Sequence, residues 1–132
     1  NVREMRNEVL GNRVVKALES RNMEAYYVKT KEAALAKALE LIPEGAASAG
    51  AEDVAQEIGL TDALHKGNYD VYDREQVETR EEKEKIAHQA LNAISLSAAQ
   101  RAFGGRSLVN VDGNANRVAA FAYGPKNVLL IV

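Results

Sequence analysis

LVNVDGNANRVAAFAYGPKNVLLIV, residues 108–132, joins two strand-like apolar runs through a polar loop and a short helix. Leu108, Val109, Asn110 and Val111 alternate as a half-buried strand does. Val128 to Val132 is an unbroken apolar run, which predicts a strand buried on both faces and central or near-central in its sheet. Between them, Val118 to Ala122 form a short apolar helix that Gly124-Pro125 stops. The loop Asp112, Gly113, Asn114, Ala115, Asn116, Arg117 therefore lies where strand passes into helix, and in α/β folds such loops face the ligand crevice.

The upstream sequence repeats this alternation. Residues 2–21 carry Met5, Val9, Leu10, Val14, Ala17 and Leu18 at helical spacing, which predicts an amphipathic helix covering one face of a sheet. Glu24 to Lys29 (EAYYVK) suits a strand. Thr30 then caps a helix over 31–42, buried along Leu35, Ala38, Leu39 and Ile42 and stopped by Pro43. Gly45 to Gly50 fits a short central strand running into a glycine loop, followed by a helix over 52–58 and a further turn over 61–65. Tyr69 to Asp73 reads as a strand, Thr79 and Glu82 as a capping box opening a helix to about Asn92, and Ala93 to Ser97 as another strand. Ile86, Ala87, Ala90 and Leu91 are the buried stripe of that helix, Glu81 and Lys85 are spaced for an ion pair on its solvated face, and residues 98–106 read as a loop. Strands separated by helices imply right-handed crossovers, and so an α/β fold with a mostly parallel sheet and helices on both faces.

Composition narrows the function classes. The chain has 132 residues, 46% of them hydrophobic, which fits one globular domain. A net charge of −2 gives no electrostatic reason to expect nucleic acid or an anionic membrane as partner. With no Cys, a disulfide framework, a thiol nucleophile and a cysteine-held iron–sulfur cluster are excluded within these residues. No apolar run approaches the roughly 18 residues of a spanning helix, and the polar N-terminus lacks an apolar signal region, so a cytoplasmic location is expected. The absent initial Met and the apolar end lead us to expect a processed or truncated chain.

Asp112 to Arg117 offers a carboxylate, two amides, a glycine and a guanidinium, enough for a hydroxy acid or phosphate, with Arg117 clamping the anion. The bland alternative is an Asx-rich turn in which Asp112 and Asn114 bond their own backbone and Asn114 or Asn116 caps the helix. Gly45 to Gly50 matches neither a P-loop nor a dinucleotide fingerprint, so close strand packing is the better reading there. His65 and His88 have no acidic or cysteine cluster at ligand spacing, so they are expected on the surface or a helix flank, and no metal or cofactor is assigned. Ser95 and Ser97 have no partner base that sequence identifies.

The segments EAYYVKTKEAALAKALELIPEG, EIGLTDALHKGNYDVYDR, TREEKEKIA and above all LVNVDGNANRVAAFAYGPKNV resemble the LUD family, the lactate-utilisation proteins of the LutC/YkgG type. The resemblance implies a fold like NagB, RpiA and the CoA transferases, a three-layer α/β sandwich. It also implies a cytoplasmic role in L-lactate oxidation beside iron–sulfur partner proteins. Two segments depart from the family pattern: Ser48-Ala49-Gly50-Ala51 stands where a Trp-Gly-Gly-Ser-like strand end is usual, and Ser97-Ala98-Ala99-Gln100 where a Ser-Thr-Asn-like run is usual. The family domain also normally continues past Val132. The ligand-binding candidates are thus Ser48, Gly50, Ser97, Asn110, Asp112, Gly113, Asn114, Asn116 and Arg117, for a small anionic or hydroxy-acid-type molecule. Whether catalysis accompanies binding is left open. The rival expectation is a structural, truncated or engineered derivative with no ligand chemistry, and an uncovered sheet edge would suit a homodimer.

Overall fold

A computed structural model describes residues 1–49, 53–93, 95–99, 101–103 and 107–132, with the backbone alone at 46–49, 53–54, 95–99, 101–103 and 107. In chain order the elements are α1 (Val2–Glu19), α2 (Lys31–Leu41), β1 (Gly45–Ala49), α3 (Asp53–Glu57), α4 (Leu60–Lys66) and β2 (Tyr69–Tyr72). A 3-10 turn (Arg74–Gln76) precedes α5 (Arg80–Ala90), β3 (Ser95–Ala99), β4 (Arg101–Phe103), β5 (Ser107–Val109), α6 (Asn116–Tyr123) and β6 (Asn127–Ile131).

Four strands form one sheet in the order β2-β1-β3-β6. All three pairings are parallel, with Ser48 beside Tyr72 on one side and beside Leu96 on the other, and with Ser97 beside Ala49 and Leu129. The small residues of β1 thus sit inside the sheet, as the reading of 45–50 expected. From β1 the chain steps outward to β2 and then returns past β1 to β3. That reversal makes the gap between the carboxyl ends of β1 and β3 a topological switch point.

The core gathers where two helices meet the sheet. Ala38 and Ile42 of the α2 region close on Leu60 and Leu64 of α4, with Leu35, Leu39, Ile58, Tyr69, Val71, Leu129 and Ile131 packed around them. Leu60 and Leu64, four apart, occupy one stripe of their helix, and each such burial is worth about 1.5–3 kcal/mol before entropy. Tyr69 adds a polar tie, its hydroxyl donating to the Ile42 carbonyl at 3.4 Å. Local signals hold the ends: Thr30 Oγ1 accepts from the Ala33 amide at 3.1 Å, and Thr79 Oγ1 accepts from the Glu82 amide at 3.2 Å. Gly59, with φ of 77°, makes the left-handed link that lets α3 turn into α4.

Several expectations are corrected. Glu24 to Lys29 joins no sheet; it runs as an extended strap along α1, with Lys29 Nζ 2.9 Å from Glu8 Oε2 and the Tyr27 ring against Gly11. Correspondingly, α1 has no buried residue, and Val2, Met5 and Val9 stand exposed. Its half-buried stripe includes Glu8, Gly11, Val15 and Leu18, the side that meets the strap. Residues 98–99 and 101–103 are strand rather than loop, since β3 runs on to Ala99 and β4 pairs antiparallel with β5, while Gln100 and the expected turn at Gly104-Gly105 lie outside the described residues. The alternating run at 108 therefore belongs to this separate two-stranded hairpin and not to the main sheet. Among the described residues β6 is an edge strand flanked only by β3, not a central one, and Val128 within it and Val132 after it are exposed. The α5 stripe is half-buried at best, and Glu81 forms no ion pair with Lys85 among the described residues. Position 52 and the end of the 45–50 segment lie outside the described residues.

Candidate functional site

The parallel sheet brings two of the candidate residues, Ser48 and Ser97, near the carboxyl ends of adjacent strands. β3 and β6 run the same way, so the segment between them must rise past the carboxyl end of β3, turn, and descend as α6 to the start of β6. Ser48 lies one residue before the end of β1, and Ser97 sits two residues before the end of β3, on adjacent strands and one register step apart. Gly50 lies outside the described residues. Asn110, directly after β5, is half-buried.

Asp112 organises the loop. Its Oδ2 accepts from the Arg117 amide at 2.7 Å and the Val118 amide at 3.1 Å, the two donors that the first turn of α6 would otherwise leave unsatisfied. Its Oδ1 accepts from the Asn114 amide at 3.5 Å. Oriented to satisfy both ends of its amide, Asn116 donates from nitrogen to Asp112 Oδ1 at 2.9 Å and accepts on oxygen from Arg74 Nη1 at 2.9 Å. Ala115, at φ 57°, holds a left-handed conformation at the helix start and offers no side-chain cap, which leaves that role to Asp112 five residues before Arg117. The sequence reading had given the cap to Asn114 or Asn116. Arg117 Nη2 donates to the Val111 carbonyl at 2.8 Å. A side chain built on Gly113 would meet nothing within 4 Å, so the face of the loop there is open.

The positive end of the α6 dipole is therefore already met by a carboxylate of the protein itself. Those two amides are thus engaged within the loop, and two guanidinium groups, those of Arg117 and Arg74, stand beside it. Arg74 is one that the sequence reading missed. It follows β2 by two positions, and nothing in its local sequence marks it; its bond to Asn116 ties the end of β2 to the 112–117 loop. Beside it, Asp73 is buried, with Oδ2 3.0 Å from His65 Nε2 and Oδ1 accepting from the Glu75 amide at 2.9 Å. His65 thus lies on a helix flank as expected, in the last turn of α4, with a partner that sequence spacing did not suggest.

Among the described residues no three His, Cys, Asp or Glu side chains converge to hold a metal ion, and no helix is long and apolar enough to cross a membrane. An open groove of about 370 Å³ lies elsewhere, between Lys31, Leu35 and Leu39 on α2 and Glu57 and Ile58. Its lining is mainly apolar, Lys31 pairs with Glu57 there, and it contains none of the candidate residues.

A parallel sheet whose strand order reverses, together with a loop whose helix is capped by Asp112, defines an α/β protein with a topological switch point. The chain belongs to the LUD domain family, whose model matches residues 11–132. That family is associated with lactate utilisation. No curated protein and no solved structure matches the chain.

Proposed function

We propose that this LUD-family chain binds a small anionic or hydroxy-acid-type ligand at the carboxyl rim of its sheet, as part of lactate utilisation in the cytoplasm beside iron–sulfur partner proteins. The observation that carries this reading is the strand order, because the reversal between β1 and β3 brings Ser48 and Ser97 to neighbouring strand ends, where α/β sheets bind ligands. The site comprises Ser48, Gly50, Ser97, Asn110 and the loop residues Asp112, Gly113, Asn114, Asn116 and Arg117. The fold is completed as a three-layer sandwich of the NagB, RpiA and CoA transferase kind. Right-handed crossovers send α3 and α4 to one face and α5 and α6 to the other, since the chain moves in opposite directions along the sheet in the two cases.

A second reading has its own support. The Asp112 carboxylate is engaged by the α6 amides and Arg117 reaches back to Val111, so the loop closes on itself as a structural turn would. A thermal-shift panel of hydroxy acids, phosphate, nucleotides and CoA esters separates the two. Saturable stabilisation by a small anion supports binding at the rim, and a flat response across the panel supports the structural turn.

A further inference from the structure

The two sides of α1 differ in charge as well as in cover. Glu8, Gly11, Val15 and Leu18 lie on the side that meets the strap, where Glu8 pairs with Lys29. The opposite side carries Val2, Met5, Arg6, Val9, Arg13 and Lys16 at helical spacing. All of them are exposed, Met5 at 68% and Val9 at 69%. Among the described residues Arg6, Arg13 and Lys16 pair with no carboxylate. This side of α1 is therefore an apolar strip accompanied by unmatched positive charge.

A surface of complementary character lies on the same chain. The open groove on α2 has Leu35, Ala36, Leu39 and Ile58 as its apolar lining and Lys31, Glu32 and Glu57 as its charged lining. Lys31 pairs with Glu57, so Glu32 leaves the described lining with negative charge in excess. The lengths agree too. Val2 to Val9 and Lys31 to Leu39 each cover about two turns, roughly 10–12 Å of helix, and the small Ala36 lets a second helix come close. Within one chain the two surfaces stay apart, the α1 strip exposed and the groove open. An anionic membrane is the poorer match, because the α1 strip has no aromatic residue and too few apolar ones to bury a broad face in lipid.

We propose that the free side of α1 docks in the α2 groove of a second copy of this chain, and that two copies close a dimer by exchanging this contact. Val2, Met5 and Val9 enter the groove, and Arg6 and Arg13 meet the acids Glu32 and Glu57. A helix laid by its apolar side into a groove is a common recognition mode, and reciprocal use of the same two patches is the arrangement that closes a pair. The groove contains none of the residues of the ligand site proposed above, so the two readings stand or fall separately.

The test is sedimentation velocity of the whole chain over a concentration series, for wild type, Met5→Glu, Ala36→Arg and Val132→Glu, with the helix content of each from circular dichroism. The expected result is a reversible dimer in wild type and in Val132→Glu, weakened by about tenfold or more in Met5→Glu and in Ala36→Arg, and weakened by added salt. An equimolar mixture of Met5→Glu and Ala36→Arg should regain association, because the mixed pair keeps one intact strip facing one intact groove, which neither variant has with itself. Should Ala36→Arg lose helix content, Ala36→Gln takes its place. A wild type that stays monomeric at every concentration overturns the proposal, and its binding to phosphatidylserine vesicles would then give the α1 strip to a membrane. Association indifferent to the Ala36 substitution, or no recovery in the mixture, overturns the groove as the acceptor. A dimer lost only in Val132→Glu overturns the proposal in favour of pairing at the β6 edge.

Discussion

Removing the Asp112 carboxylate is expected to loosen α6 from its N-terminal end. Asp112→Ala deletes the acceptor of the Arg117 and Val118 amides, at 2.7 and 3.1 Å, and with it the partner of the Asn116 amide. Loss of an N-terminal capping side chain costs about 0.5–2 kcal/mol, and loss of a negative charge from the positive end of a helix costs about 0.3–1 kcal/mol more. The sum is about 1–3 kcal/mol, a large share of the roughly 5–15 kcal/mol that holds a domain together. At this chain length that corresponds to a melting temperature lower by about 5–10 °C. Asp112→Asn keeps an oxygen acceptor and loses the charge, so it should cost about half as much. Denaturant unfolding supplies the free energies, and amide exchange at Arg117 and Val118 supplies the local readout, rising in Asp112→Ala before exchange elsewhere does. Loss of less than about 0.5 kcal/mol with those two amides still protected would refute the assignment of Asp112 as the cap.

Three further outcomes follow from the same geometry. Leu64→Ala, at a fully buried position between α4 and α2, should destabilise by about 2–5 kcal/mol in denaturant unfolding, and a loss under 1 kcal/mol would contradict the core described. Gly11→Ala should fail to give the stabilisation of about 1 kcal/mol usual in a helix interior, because its Cβ would stand 2.1 Å from Tyr27 Cδ2; faster amide exchange in the 24–29 strap is the check. Glu32, in the first turn of α2, has its carboxyl held below the ordinary 4.5 by its own backbone amide and the Thr30 hydroxyl. A lowered folded-state value means stability that is fully present above pH 4.5 and lost as pH falls below it through the lower folded value; an NMR titration showing Glu32 above 4.5 would reverse the sign.

How much of this was legible in the sequence varies with how local its cause is. Thr30, Thr79 and Gly124-Pro125 act within one turn of chain, and the helices they bound lie where their spacing placed them. The small residues at 45–49 suited an inner strand and became one. The strap at 24–29 has strand composition, but composition does not supply a partner, and Tyr27 found its contact on Gly11 of α1 instead. Apolarity on both faces suggested a central position for Val128 to Val132, yet Leu129 and Ile131 reach the core from an edge strand. At the rim, the chemistry of Asp112 to Arg117 could be read from its residue types. Which group capped the helix could not, because the left-handed Ala115 shifts that role to Asp112. Arg74 was invisible for a different reason: its meeting with Asn116 is a tertiary contact, which hydrophobic periodicity does not carry.

The central claim, that the carboxyl rim of this sheet binds a small anion, is tested most directly by following backbone amide resonances of the whole chain as L-lactate is added. The account predicts saturable shifts at Asp112 to Arg117, at Arg74 and at the ends of β1 and β3. Unmoved resonances there, or shifts confined to Lys31, Leu35 and Ile58 around the groove on α2, would contradict it.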